Sequence, residues 1–359
     1  MIPTKASALL FTAPGKVSLT SHSLPEAGPA DIITETLYTC VSPGTELRML
    51  AGHYGAADQF PYLPGYNSIG RVIAVGPQAR GYRVGDLVSA INPRSNPDIK
   101  ALYGAHASHQ VLATDIDQRP VLLPDGANPI DYVVTEIASI SYRGVTSARP
   151  QRGETALVIG QGMIGAFSAA WLVAAGCRVG VIDLEESRLA RARRFGAAIA
   201  ITAAQPDTLD RALLFTRYGA DIVVEASGST PGVKLAHQLV RQKPKMPAGQ
   251  YVREPVHFFA HDWPRLIWQA NYLEDVPLNP HGCQISEGIT TIASGDRGIE
   301  DRHRVIEELR RGSIRASDFI DRVAAPADAA AAYAGLQSRQ LFSVVFDWSQ
   351  VATIQSKAE

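Results

Sequence analysis

The chain has 359 residues, more than a single domain usually contains, and we therefore expect two domains. Hydrophobic residues make up 46% of the sequence, enough to fill sizeable cores, and no apolar run approaches the ~18 residues of a membrane-spanning helix. The formal net charge of −1 gives no electrostatic reason to expect nucleic acid or a membrane surface as a partner.

The N-terminus and the cysteines bear on the cellular compartment. Residues Met1–Lys5 lack the apolar segment of a secretory signal. Cys40, Cys177 and Cys283 lie far apart and form no CxxC pair. We therefore expect a cytoplasmic protein.

The first part of the chain, to about residue 125, is predicted to be rich in β-strands. Short apolar runs alternate with turns that contain proline or glycine, such as Ala13–Gly15 and Tyr82–Asp86. This pattern predicts a small barrel of antiparallel strands. The predicted strands are 8–11, 31–38, 69–75, 87–91 and 110–113.

A helical segment at 128–148 leads into a region of alternating strands and helices. From residue 155 to residue 227, nearly continuous apolar strands alternate with amphipathic helices, which is typical of a parallel sheet covered on both faces. Beyond residue 241 the pattern weakens to loops. The last predicted elements are a helix at 302–311, an alanine-rich helix at 327–335 and a strand at 341–346.

A glycine-rich loop, Gly160-Gln-Gly162-Met163-Ile164-Gly165, follows the apolar strand at 155–160 and opens an apolar helix. The first glycine allows a tight turn, the second lets the backbone approach a pyrophosphate, and the third lets the helix pack closely on the strand. The pyrophosphate would lie at the helix N-terminus, where N–H groups and the helix dipole favour an anion. The loop therefore predicts a dinucleotide-binding site.

Asp183, at the end of the next apolar run, indicates which of the two dinucleotides, NAD or NADP, the site prefers. It follows the loop by about 20 residues, as expected in a βαβ unit. A carboxylate there accepts hydrogen bonds from the ribose hydroxyls and repels a 2′-phosphate. We expect NAD as the cofactor, and NADP stays open because the basic Arg188 follows shortly after.

Six motifs follow one another along the chain: Pro43–Glu46, Pro64–Gly70, Tyr82–Asp86, Leu122–Gly126, the glycine-rich loop and Val223–Gly228. Together with the order of the predicted parts, they resemble the medium-chain dehydrogenase/reductase superfamily over nearly the whole chain. That resemblance implies an α/β protein: a GroES-like β-barrel catalytic domain at 1–127, a Rossmann doubly wound parallel sheet at 128–297, and a C-terminal segment, 298–359, that returns to the barrel. It also implies that Ala226 and Ser227 lie at the cofactor.

Departures from the superfamily pattern concern zinc. Zinc-dependent members carry Cys-Gly-Thr/Ser-Asp where this chain has Pro43–Glu46, and Gly-His-Glu where it has Gly65-Tyr66-Asn67. Proline offers no donor atom, and tyrosine is a poor zinc ligand beside histidine or thiolate. Glu136 matches a third ligand position of some members, but one carboxylate cannot hold zinc alone, and the four-cysteine cluster of many relatives is missing. We therefore expect an enzyme without zinc.

Tyr66, Thr45 and Glu136 are the expected catalytic residues. Tyr66 matches the position of the histidine ligand, and its hydroxyl can donate a hydrogen bond to developing negative charge. Thr45 matches a hydroxyl that relays protons in alcohol-oxidising relatives. Glu136 and Glu46 are candidate acid–base carboxylates if burial raises their pKa values. Alternatively, Tyr66 fills the space that zinc vacates, Thr45 and Glu46 cap a turn, and Glu136 pairs with Arg143.

Further polar side chains are candidates for the substrate site. We expect His53, Tyr54 and Asn67 to line it. His257 and His261 have the spacing of two ligands on a helix, but they follow a proline in a strand or loop, which argues against a metal site.

Other histidines and aromatic residues have plainer expected roles. His106 and His109 are expected to be ordinary polar residues of a strand edge. Trp263, Trp268 and Tyr272 are expected to pack in a core or at an interface between subunits.

Three functions are compatible with these features. The first is an NAD-dependent dehydrogenase that acts without zinc on a secondary alcohol or carbonyl of a bulky or natural-product-like small molecule. Here the turn at Thr45 with Pro64-Gly65-Tyr66 resembles the bacteriochlorophyllide dehydrogenase group. The second is a zinc-free quinone or enoyl reductase that uses NADPH, and the third is a homologue that binds nucleotide without turnover. We expect a homodimer.

Overall fold

The structure, a computed structural model, describes residues 2–53, 60–95, 99–101, 103–217, 219–241, 263–272, 275–276, 278 and 288–351. The chain divides into two compact units. Residues 1–139 and 297–359 form the first, called here the barrel unit, and residues 140–296 form the second, the nucleotide unit. None of the helices in the described ranges has the length and apolar character needed to cross a bilayer.

The barrel unit is built on two sheets. One contains β1 (Lys5–Ala13), β2 (Lys16–Ser23), β4 (Tyr62–Leu63) and β7 (Lys100–Ala101) in the order β2-β1-β4-β7. The other has the order β16-β17-β3-β5-β6-β9, and β8 pairs with β3. Its strands are β3 (Asp31–Cys40), β5 (Ser68–Val75), β6 (Leu87–Ala90), β8 (His109–Ala113), β9 (Val121–Leu122), β16 (Arg322–Ala324) and β17 (Val344–Asp347).

The C-terminal segment is part of this unit because β17 pairs antiparallel with β3. Three of its helices are α1 (Pro43–Leu50), α7 (Ile299–Arg311) and α8 (Ala329–Gln337), and a fourth, α2 (Thr135–Ser147), begins in it. A core of buried side chains joins β1, α1, α8 and β17. It includes Phe11, Met49, Tyr333 and Phe346.

Helix α1 replaces the turn that the sequence suggested at Pro43–Glu46. Pro43 occupies the first turn, where its missing N–H is no loss. The Glu46 carboxylate accepts a hydrogen bond from the Ser42 backbone N–H at 2.8 Å, which satisfies a donor at the helix start. Glu46 therefore caps the backbone locally, as the alternative interpretation of the sequence suggested, but the capped segment is the start of a helix and not a turn.

The nucleotide unit contains one parallel sheet in the order β12-β11-β10-β13-β14-β15. This confirms the predicted α/β fold class. The strand order reverses between β10 and β13, and in such sheets ligands bind beyond the carboxyl ends of the strands at that point. The strands are β10 (Thr155–Ile159), β11 (Arg178–Asp183), β12 (Ile199–Thr202), β13 (Ile222–Glu225), β14 (Arg265–Trp268) and β15 (Thr290–Ala293). The helices wholly within this unit are α3 (Met163–Ala174), α4 (Glu186–Arg194), α5 (Thr208–Thr216) and α6 (Thr230–Leu239).

The boundary between the N-terminal part of the barrel unit and the nucleotide unit lies after Ser139, whereas the sequence predicted a domain boundary after residue 127. The start of α2 belongs to the barrel unit because Val134 and Ile137 are fully buried and the Ile137 N–H donates to the Asn67 side chain at 3.0 Å. Strand β2 and helix α6 were not predicted. Tyr54, His257, His261 and Cys283 lie outside the described residues.

Candidate functional site

The glycine-rich loop joins β10 to α3 at the reversal of strand order. Gly160 has φ +85°, and a Cβ there would lie 2.7 Å from the Ser227 nitrogen and 2.8 Å from the Ala226 carbonyl carbon. At Gly165 a Cβ would overlap the Gly160 carbonyl oxygen. These two glycines therefore let the loop, α3 and the turn after β13 pack without side chains between them.

The middle glycine faces open space. A Cβ at Gly162 would meet no heavy atom within 4 Å, and Gly162 is the N-cap of α3, whose first residues are Met163 and Ile164. The positive end of the α3 dipole thus lies beside a position where a ligand backbone or phosphate can approach closely. This geometry fits the pyrophosphate of a dinucleotide.

Asp183 ends β11 beside this loop and is 7% exposed. Its Oδ2 accepts a hydrogen bond from the Gln161 N–H at 2.5 Å, and its Oδ1 accepts one from the Glu185 N–H at 2.9 Å. A carboxylate has about four lone-pair sites, so capacity remains for ribose hydroxyls. Arg188 lies near, with its Nη1 3.8 Å from Asp183 Oδ2.

A buried carboxylate shapes the turn after β13. Glu225 is fully buried and accepts hydrogen bonds from the Ser227 N–H at 2.9 Å, the Ser227 hydroxyl and the Tyr272 hydroxyl. Burial and the bond to Glu225 raise the pKa of the Tyr272 phenol. Tyr272 also contacts Trp268 edge to face, with 6.1 Å between ring centroids. These contacts hold Ala226 and Ser227 against Gly160.

Tyr66 lies in the barrel unit within a cluster of hydroxyl groups. It is 5% exposed, its hydroxyl is 2.6 Å from Ser42 Oγ, and it is also hydrogen-bonded to Thr45. Burial raises the pKa of Tyr66 to about 12, although the Ser42 hydrogen bond and the charge of Arg297 act to lower it. Tyr66 is therefore protonated at neutral pH and can donate a hydrogen bond or a proton.

Glu136 lies in the first turn of α2 and is 1% exposed. Its Oε2 accepts from Arg297 Nε at 3.0 Å, and its Oε1 accepts from Arg302 Nε at 2.9 Å and from the Ser89 hydroxyl at 2.8 Å. Burial raises the pKa of Glu136, but the charges of Arg302 and Arg297 outweigh that effect and hold it below the ordinary value.

The condition on which Glu136 was a candidate acid–base carboxylate, a pKa raised by burial, is therefore not met. A carboxylate with a lowered pKa remains ionised at neutral pH and is a weak base. Arg302 is anchored further, because it donates to the Arg119 carbonyl at 2.6 Å and to the Ser89 carbonyl at 3.0 Å. The three charged side chains form one buried group.

Asn67 and His53 differ in their surroundings. Asn67 is fully buried, and its amide is used in main-chain hydrogen bonds, to the Ile137 N–H at 3.0 Å and to the Cys40 carbonyl at 3.4 Å. An amide engaged in this way ties α2 to β3, which is a structural role and not the expected contact with substrate. His53 is exposed just beyond α1.

His106 is a buried residue of a hydrogen-bond network, and the expectation of an ordinary strand-edge residue is wrong. Its Nε2 lies 2.9 Å from Glu46 Oε2 and its Nδ1 2.8 Å from Thr39 Oγ1. The Tyr333 hydroxyl donates to the same Glu46 oxygen, and Trp348 Nε1 donates to Thr39 Oγ1 at 2.9 Å. With a proton on His106 Nε2, each of these polar atoms has a partner. The network fastens α1 to α8 and β3.

The side chains at the zinc-ligand positions of the superfamily do not fit a zinc ion. Pro43 has no donor, the Asn67 amide is bound to main chain, and Glu136 is bound to two guanidiniums. Zinc sites in proteins need three or four nitrogen, sulfur or carboxylate ligands. Across the described residues, no group of three or more histidine, cysteine, aspartate or glutamate side chains could hold a metal.

Arg297 and Ser42 were not predicted as part of the site. Arg297 precedes α7 in a glycine-rich loop, and its guanidinium carbon lies 5.2 Å from the centroid of the Tyr66 ring. No local pattern marks it, because Glu136 and Tyr66 are distant in sequence. Nothing in the sequence marks Ser42 beyond its place directly before Pro43.

A family model described as zinc-binding dehydrogenase matches residues 164–261. That stretch lies in the nucleotide unit, so the match does not include Pro43, Tyr66 or Glu136.

Curated relatives of this chain include an alcohol dehydrogenase and a sorbitol dehydrogenase. YdjJ of Escherichia coli K12, an uncharacterized zinc-type alcohol dehydrogenase-like protein, is 25% identical over 272 residues, covering 67% of this chain and 76% of the relative. An alcohol dehydrogenase of Cupriavidus necator is 26% identical over 259 residues, covering 62% and 70%. A sorbitol dehydrogenase of Halalkalibacterium halodurans is 26% identical over 248 residues, covering 64% and 70%.

Solved structures share the fold over nearly the full length. Galactitol-1-phosphate dehydrogenase of Escherichia coli has a TM-score of 0.79 at 16% identity, covering 95% of this chain and 99% of its own. An Escherichia coli CFT073 alcohol dehydrogenase complexed with NADH has 0.79 at 18%, covering 96% and 100%. A zinc-binding dehydrogenase from Sinorhizobium meliloti 1021 bound to NADP has 0.78 at 17%, covering 96% and 100%.

The fold is thus that of the medium-chain dehydrogenases, a GroES-like barrel with a Rossmann sheet, as predicted. The chain is an oxidoreductase similar in sequence to alcohol and sorbitol dehydrogenases.

We predict that Glu136→Gln destabilises the protein by about 3–5 kcal/mol at pH 7, because it leaves two buried guanidiniums without their carboxylate. The folded-state pKa of Glu136 is lowered, so its contribution to stability is present above the ordinary glutamate pKa and is lost as the pH falls through the lowered value. The free energy of unfolding, measured by denaturant titration between pH 3 and pH 7, should differ most at pH 7.

Glu307→Gln is the matched control. This carboxylate also pairs with two arginines, Arg310 and Arg311, but on the exposed face of α7, where water compensates the loss. Equal stability of Glu136→Gln and the unmodified protein at pH 7 would contradict the role given to the buried group.

Proposed function

We propose that the protein transfers a hydride between NAD(H) and a carbonyl or secondary alcohol of a bulky or natural-product-like substrate, without zinc. The observation that carries the proposal is the state of Tyr66. Its phenol is buried, is protonated at neutral pH and contacts two hydroxyls, Ser42 and Thr45. By the resemblance to the superfamily, Tyr66 would match the position of a zinc-binding histidine in zinc-dependent members.

In the direction of reduction, a nicotinamide held at the glycine-rich loop would supply the hydride for the carbonyl carbon. The Tyr66 hydroxyl donates a hydrogen bond to the carbonyl oxygen as negative charge develops there, and then transfers its proton, which completes the alcohol. Ser42 or Thr45 passes a proton to the phenolate and is reprotonated from solvent, so one proton from water is consumed per hydride. Oxidation of the alcohol follows the same steps in reverse.

Zinc independence is part of the proposal. It is supported by the donor chemistry at the ligand positions, where Glu136 is engaged by Arg297 and Arg302. The zinc-binding dehydrogenase model matches only within the nucleotide unit, so that match does not bear on the ligand positions.

NAD is the proposed cofactor, with Gly160, Gly162, Gly165 and Asp183 as its principal contacts. Support comes from the Asp183 carboxylate, which would repel a 2′-phosphate. Arg188 lies beside Asp183, and its positive charge could bind a 2′-phosphate. NADPH therefore stays a second candidate for the cofactor, and a quinone or enoyl reductase stays a second candidate for the function. A homodimer and the resemblance to bacteriochlorophyllide dehydrogenases stay predictions.

We predict that Tyr66→Phe lowers kcat about 100-fold or more, because the hydroxyl that stabilises the developing charge is removed. NADH affinity, measured by fluorescence quenching, should stay unchanged. The assay is a panel of ketones, enones, secondary alcohols and polyols, tested with NAD(H) and NADP(H).

Tyr82→Phe is the control, because it removes a tyrosine hydroxyl in the same unit, bonded to the Pro120 carbonyl at 2.6 Å. It should retain turnover. If Tyr66→Phe also turns over at the original rate, Tyr66 is not the proton donor.

We predict that Asp183→Ser reduces the preference for NAD over NADP at least about tenfold, because like-charge repulsion of the 2′-phosphate is lost. The ratio of kcat/KM for the two nucleotides measures the effect. Adding Arg188→Gln to this variant should reverse the gain with NADP, since Arg188 is the nearby cation. An unchanged ratio in Asp183→Ser would remove the argument for NAD.

A further inference from the structure

Arg297 stands out among the buried charged groups because it joins Glu136 to Tyr66. It is 7% exposed, its Nε donates to Glu136 Oε2 at 3.0 Å, and its guanidinium carbon lies 5.2 Å from the centroid of the Tyr66 ring. A guanidinium at this distance from an aromatic face is attracted by the ring. The side chain is therefore held from two sides.

The charges of the buried group do not cancel. One carboxylate, Glu136, is shared by two guanidiniums, so the three side chains carry one net positive charge. Arg302 uses its remaining donors on the Arg119 and Ser89 carbonyls. Arg297 is the guanidinium that lies over Tyr66, so it brings positive charge to the phenol.

We propose that Arg297 is a positioning residue that stabilises the negative charge developing on the Tyr66 oxygen during proton transfer. This inference rests on the proposed function, in which the Tyr66 proton goes to the substrate oxygen and leaves a phenolate. A buried phenolate is costly unless a positive charge lies near it. Glu136 holds the Arg297 guanidinium in this orientation, so the part of Glu136 in the reaction is indirect.

Among the described residues, the other groups that act on Tyr66 do not supply this charge. Ser42 and Thr45 are neutral hydroxyls, Tyr103 contacts the ring edge at 5.4 Å between centroids, and the charge of Glu46 acts in the opposite direction. Arg297 is the cation whose charge acts to lower the pKa of Tyr66.

The first test does not depend on turnover. Tyr66 is replaced by 2,3,5-trifluorotyrosine, whose phenol ionises at lower pH, and its titration is followed by fluorine NMR in the full-length protein. Arg297→Gln should raise the pKa of this phenol by about 1 or more, because the positive charge that lies 5.2 Å from the ring centroid is lost. Arg297→Lys keeps the charge and should give a smaller change.

Arg310→Gln is the matched control, because it removes an arginine from the exposed face of α7 and leaves Tyr66 untouched. It should leave the fluorotyrosine pKa unchanged. An equal pKa in the Arg297→Gln and unmodified proteins would overturn the inference. Should Arg297→Gln not fold, the apolar and equally neutral Arg297→Met takes its place, and a fluorotyrosine pKa equal to that of Arg310→Gln would overturn the inference.

The second test uses turnover with the best substrate of the panel. Arg297→Gln should lower kcat at least about tenfold with unchanged KM for NADH, and guanidinium ion added to the buffer should restore part of the rate. Unchanged kcat would overturn the inference while the proposed function stands. Failure of the unmodified protein to turn over any substrate would instead contradict the proposed function, and the fluorotyrosine titration would still decide whether Arg297 stabilises the Tyr66 anion.

Discussion

The ion group of Glu136 with Arg297 and Arg302 is the constraint on which the rest of the barrel unit depends. A fully buried carboxylate cannot remain ionised without partners, and here two guanidiniums and the Ser89 hydroxyl supply them. The group joins the start of α2, strand β6 and the segment that enters α7. In this group the carboxylate oxygens of Glu136 are bound to the two arginines, which leaves them poorly suited to coordinate a metal ion.

The consequence for chemistry is a change in how a substrate oxygen would be activated. A metal ion polarises a carbonyl as a Lewis acid. In this chain the available groups are a protonated phenol, two neighbouring hydroxyls and a guanidinium. In the proposed reaction, such groups would stabilise developing negative charge by hydrogen bonding and by electrostatic attraction.

The cofactor site could be predicted from the sequence because its determinants are local. Gly160, Gly162 and Gly165 fall within one turn, and Asp183 ends the next strand, so the period of the strands and the glycine spacing define the loop. Their packing in the structure, with Gly160 against Ser227, follows from the reversal of strand order between β10 and β13. The alternation of apolar strands and helices likewise predicted the parallel sheet.

The electrostatic part of the barrel unit could not be predicted in this way. Arg297 and Arg302 meet Glu136 across more than a third of the chain, and no periodicity links them. His106 carries no local sign of burial, because its partners, Glu46 and Tyr333, come from α1 and α8. The lowered pKa of Glu136 could not be predicted for the same reason, because it depends on two arginines that are distant in sequence.

Metal content measured together with turnover tests the central claim most directly. The purified protein, analysed by plasma mass spectrometry before and after treatment with 1,10-phenanthroline, should contain far less than one zinc per chain and should keep its NAD(H)-dependent activity. Stoichiometric zinc that is removed by the chelator together with the activity would contradict the account.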